Sequence, residues 1–152
     1  MTAPRNWITS ELVTASIMNE HLRDMHIALA GSKPIAFSFG DPGGAVLTTG
    51  VKMRLYVPNG FRVGGWTLNV EPSGSIVFDL WRATYPTIPT VGETITGTEK
   101  PTVVAAVTGQ DLTLGSWIPD VADGSNLWFN IDSCTSVKHA VLTLNTSLLA
   151  MV

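Results

Sequence analysis

Charge is scarce in this sequence. Of its 152 residues only 14% are Asp, Glu, Lys or Arg, and the formal net charge is −3. Binding nucleic acid through counterion release needs a basic stripe, and none is present, so nucleic acid is not expected as a partner. Cysteine is scarcer still. Cys134 is alone, which excludes an internal disulfide and argues against a stapled secreted scaffold. No apolar run approaches the roughly 18–20 residues of a spanning helix. The run at Leu148-Leu-Ala-Met-Val152 is far too short, and no membrane insertion is expected. Met1-Thr-Ala-Pro-Arg5 lacks the basic region and apolar core of a secretory signal, which predicts a product made in the cytoplasm.

Catalytic constellations are missing as well. His21 and His26 are five apart and do not share a helix face, so they do not form a helical metal pair. Cys134 and His139 have no diagnostic spacing, and a lone Cys in a β protein usually serves as a small buried apolar residue. Gly40-Asp-Pro-Gly-Gly44 is glycine-rich but lacks the Gly-Lys-Ser/Thr and following helix of a phosphate loop. Glu71, Asp79 and Asp132 do not assemble into a glycosidase pair on any sequence argument. The expectation is a non-enzymatic protein without cofactor or metal.

What is present falls into two parts. Residues 1–13 read as an extended arm in which Trp7 and Ile8 stand out from polar neighbours, either to plug a partner or to staple the helix that follows. From Thr14, a plausible N-cap, to Ala30, the apolar residues Met18, Leu22, Met25 and Leu29 step by four, three and four. That spacing predicts one α-helix with a single apolar stripe, stopped by Gly31 and Pro34. A helix of this length is marginal alone, so the stripe must pack against something. Trp7, Met18, Leu22, Met25 and Leu29 are therefore the candidate anchoring and oligomerisation residues. The predicted division is 1–31 for arm and helix and 32–152 for a β domain.

Beyond Gly31 the period changes to two. Ile35, Phe37 and Phe39 form one inner face; Val51, Met53, Leu55 and Val57 another. Phe61 and Val63 share a face, but Trp66, Leu68 and Val70 take up the phase one residue later, so a β-bulge is expected at Gly64-Gly65. Glu71-Pro-Ser-Gly74 reads as a turn before Ile76, Phe78 and Leu80. Residues 84–101 form the longest irregular connection, of a length that marks a functional or interface loop. Shorter strands are expected at Thr102–Ala106 and Leu112–Leu114. Leu127–Ile131 and about 138–146 complete the set. About eight strands with regular turn signals predict a single antiparallel β-sandwich, jelly-roll-like, with one N-terminal α-helix and extended arm.

Trp66 is in phase with its strand's apolar set and belongs in the core. Trp81 and Trp128 are out of phase and belong on the opposite face. There they either pack in a subunit interface or second layer, or stack on sugar rings with Asp79 and Arg82 supplying hydrogen bonds. Interface or second layer is favoured, because aromatic residues are enriched in interfaces.

Several stretches carry a resemblance. Trp7 with Thr14-Ala-Ser-Ile-Met-Asn19 and Leu22-Arg-Asp24 resembles an N-terminal segment of virion proteins of tailed bacteriophages. Thr48-Thr-Gly-Val-Lys52, Val57-Pro58, Gly65-Trp-Thr-Leu68, Ser73 to Trp81, Glu99-Lys-Pro-Thr102 and Leu127 to Ser133 resemble a small β domain of phage structural proteins. The resemblance implies a virion location and a jelly-roll or β-sandwich subunit, and carries no catalytic residues. The expectation is a homotrimeric capsid-surface decoration, cement or head-fibre protein, whose partners are itself and phage capsid proteins. The rival is a tail fibre or baseplate protein binding host surface glycan.

Overall fold

A computed structural model describes Met18, Leu22, Gly31 and residues 33–149. The chain divides into two units, Met1–Gly31 and Ser32–Val152. In the first, Met18 and Leu22 have helical backbone, and both are exposed. No α-helix is delimited among the described residues, so the expected helix is without support beyond these two positions. Trp7, Met25 and Leu29 lie outside the described residues.

The second unit is an antiparallel β-sandwich, the predicted fold class. Among the described residues it has seven strands: β1 (Lys33–Gly40), β2 (Gly50–Val57), β3 (Phe61–Thr84), β4 (Thr102–Asp111), β5 (Asp120–Val121), β6 (Ser125–Thr135) and β7 (His139–Leu148). They hydrogen-bond in the order β1-β7-β3-β6-β2, with β4 and β5 also on β3. β3 is the organiser. Its first half, Phe61 to Glu71, pairs with β7, and its second half, Ser75 to Thr84, pairs with β6.

One strand therefore serves two half-sheets, and the rings between them show that the halves face each other. Phe37 of β1 lies 4.4 Å from Phe129 of β6, centroid to centroid, and Phe39 lies 4.9 Å from Phe78 of β3 and 5.9 Å from Phe129. These tilted pairs carry attraction beyond simple burial. Around them Leu68, Ile76, Leu80, Leu127, Ile131, Leu142 and Leu144 are fully buried. The period-two positions of β1, β3, β6 and β7 supply the inner face, as alternation demands.

The bulge falls where the phase change places it. Val63 pairs with Thr146 and Gly65 with Asn145, so Gly64 is the extra residue that lets Val63 and Trp66 both point inward. Glu71-Pro-Ser-Gly74 does not end a strand. It is the corner inside β3 at which the partner changes from β7 to β6. Gly74 is required there, since a Cβ would lie 2.4 Å from the Thr135 carbonyl oxygen. The count is thus seven rather than eight. The two runs around this corner are one strand, Leu112–Leu114 is irregular because β4 already extends to Asp111, and the two-residue β5 adds a strand too short for alternation to mark.

Tyr85–Pro101 is the long connection, with one 3-10 turn at Val91–Glu93. Thr90 and Glu93 form a reciprocal capping box on that turn. Past the turn, the Ile95 N–H donates to the Leu80 carbonyl at 2.8 Å and Thr94 bridges Trp81, so the loop lies along β3.

Candidate interaction face

The outer face of β2, β6 and the second half of β3 gathers most of the singled-out polar and aromatic residues. Register sets Arg54 opposite Trp128 and Trp128 opposite Trp81. Both tryptophans are half-buried and share this face, as their phase requires. Neither presents a clean ring. The Arg54 guanidinium sits 4.7 Å above the Trp128 centroid, a cation–π contact of about 0.5–1 kcal/mol at an exposed site. Trp81 is flanked on its free side by Thr94.

One row along, Tyr56 pairs with Asn126, and the Asn126 side chain donates to the Thr87 carbonyl at 2.8 Å. The Tyr56 ring meets Tyr85 edge-on at 5.7 Å, and both are more than half exposed. These tyrosines, missed in the sequence, are the accessible aromatics of the face. Tyr56 shares the outward phase of Lys52 and Arg54 in β2, which was the available signal.

In the opposite direction lies Asp79, which is completely buried. One carboxylate oxygen accepts from the Thr94 and Thr96 hydroxyls at 2.5 and 2.7 Å. The other is 3.0 Å from the Lys100 ammonium. That ammonium also contacts Asp132 at 2.6 Å, and Asp132 accepts from the Asn130 amide at 2.7 Å. The Trp81 indole N–H faces the Asp79 carboxylate without reaching hydrogen-bond geometry. Burial pushes the Asp79 carboxyl up, but Thr94, Trp81, Thr96 and Lys100 together outweigh it and hold the group below its ordinary value. Lys100 is held above its ordinary value, chiefly by its hydrogen bond to Asp132.

An ionised, enclosed carboxylate has no proton to donate and no open approach for a ligand. The network is a clasp. It fastens the 85–101 connection to β3 and β6, aided by the Trp117 indole N–H on the Glu99 carbonyl at 2.8 Å.

The four candidate contact residues are therefore not one surface group. Asp79, Trp81 and Trp128 share a face, with Asp79 sealed beneath it. Arg82 falls in the inward phase of Leu80 at the end of β3 and donates to the Asp120 carbonyl. The partners of Asp79 were not found from the sequence: Thr94, Thr96 and Lys100 come from the irregular connection.

No protein-family model matches the chain, and no curated protein matches it. Among solved structures, a structure of infectious bursal disease virus, Gx strain, is similar over 82% of this chain, at 8% identity and a TM-score of 0.33. The chain spans about a third of that protein's length, 32%.

Proposed function

We propose that this chain is a non-enzymatic structural subunit of a tailed-bacteriophage virion. It acts as a trimeric decoration, cement or head-fibre protein on the capsid surface, attached through residues 1–31. The observation that carries this reading is where apolar side chains remain in solvent. Ile88, Val91 and Val104 are 64%, 65% and 72% exposed on the β unit, and Met18 and Leu22 are 42% and 57% exposed in the N-terminal unit. Together with the low charge of the sequence, these suit a subunit whose neighbours cover it. The clasp supports the same reading, since it spends Asp79, Asp132 and Lys100 on holding a loop.

A second reading draws on the exposed Tyr56–Tyr85 pair: a tail fibre or baseplate protein that binds host surface glycan. Its aromatic contacts are these tyrosines rather than Trp81 and Trp128, whose surroundings are occupied from within the chain.

Removing residues 1–31 is expected to abolish incorporation into particles, measured by immunoblot of purified virions, while the truncated chain stays abundant in the lysate. Incorporation of the truncated chain at the full-length level overturns the anchoring role. Glycan binding lost on Tyr85→Ala, with incorporation unchanged, favours the second reading.

A further inference from the structure

The clasp brings together the parts of an amide-forming reaction. Lys100 is held from both sides. The Glu99 carbonyl before it accepts from the Trp117 indole at 2.8 Å, and the Pro101 carbonyl after it accepts from the Phe78 N–H at 2.9 Å. Asp132 is placed by a bulge. Val77 pairs with Ser133 and Phe78 with Ile131, so Asp132 is the extra residue of β6, and bulges re-aim side chains. Lys100 Nζ then lies 2.6 Å from Asp132 Oδ2, with both side chains 29% exposed. The other Asp132 oxygen, Oδ1, accepts from the Asn130 amide at 2.7 Å. Asp79 Oδ2 is buried with no hydrogen bond among the described residues, and it faces the same Nζ from 3.0 Å.

We propose that this network closes into a covalent link, an isopeptide bond between Lys100 Nζ and Asp132 Cγ. The resting pair is ionised, so closure is slow and starts with a proton passing from Nζ to Asp132 Oδ2 along their short contact. The neutral amine, already positioned, attacks Cγ. Charge gathers on Oδ1, where the Asn130 amide meets it. Asp79 takes a second proton from Nζ and returns it to Oδ2, which leaves as water when the Cγ–Oδ2 bond breaks. Of the three ammonium protons one stays on the new amide and two depart in the water. Asp79 ends as the carboxylate it began as, and no further reactant is consumed. The loop's attachment to β6 changes from ionic to covalent.

The test is the mass of the full chain, denatured after folded incubation at neutral pH for several days, with peptide mapping. Wild type is expected to pass from the sequence mass to one lighter by a single water, with a branched peptide joining Lys100 to Asp132. Asp132→Ala should keep the sequence mass, and so should wild type held unfolded in urea. Asp79→Asn, which keeps an acceptor for Thr94 and Thr96, should slow closure at least about tenfold. Should it fail to fold by circular dichroism, Asn130→Ala, which removes the donor to Oδ1, carries the same expectation.

The proposal is overturned if the folded wild type keeps its sequence mass, or if water is lost equally in urea. It is also overturned if the loss maps to a succinimide at Asp123-Gly124 instead of a branch. A branch from Lys100 to Asp79, or closure of folded Asp79→Asn at the wild-type rate, overturns the roles given to the two carboxylates.

Discussion

Phe129→Ala is expected to destabilise the folded chain by about 3–5 kcal/mol, the range for emptying a buried aromatic site. For a chain of this size each kcal/mol moves the melting temperature by about 2–4 °C, so the midpoint should fall by roughly 6–20 °C. The effect is large because Phe129 sits where the two half-sheets meet. Its ring contacts Phe37 and Phe39 of β1, while its own strand hydrogen-bonds β2 and the second half of β3. Val104→Ala removes an exposed apolar side chain and should change stability by no more than about 0.5 kcal/mol. Thermal melts followed by circular dichroism compare the two. A loss below about 1 kcal/mol for Phe129→Ala would mean that the halves do not stack through these rings.

Lys100→Met should cost on the order of 3 kcal/mol at neutral pH, since it leaves the Asp79 carboxylate buried without its cation. The two threonine hydroxyls remain on one oxygen; the other faces no charge. The pH dependence follows from the direction of the Asp79 shift. Its folded pKa lies below the ordinary 3.8, so its ionised form stabilises the fold above that value, and the contribution is lost as pH falls through the folded pKa. In Lys100→Met the folded pKa rises, and the carboxyl takes up a proton more readily. The deficit against wild type should therefore be greatest near neutrality and shrink as pH drops below about 4. Urea unfolding of both proteins across that range measures it. A deficit independent of pH would show that the ammonium does not serve Asp79.

The inward residues of each strand were legible because burial on one face of a sheet imposes a period of two, and the slip at Gly64 shows as a break in that period. The corner at Glu71–Gly74 was misread for a physical reason. Proline and glycine mark any sharp change of direction, and composition does not separate a strand that ends from one that bends and changes partners. Trp81 and Trp128 were assigned to one face by phase, but their direct opposition depends on register, which is set between strands 47 residues apart in sequence. Asp79 looked like a surface residue because its pairing with Trp81 is local, whereas the groups that enclose it, Thr94, Thr96 and Lys100, come from an irregular loop. Loop residues carry no periodicity from which a packing direction can be read.

The central claim is that the chain is a virion subunit present in many copies on the capsid surface. Quantitative mass spectrometry of purified virions tests this proposal most directly, with copies counted against the major capsid protein. The account predicts hundreds of copies per particle. A handful would move the chain to the tail, and its absence from purified particles would contradict the claim altogether.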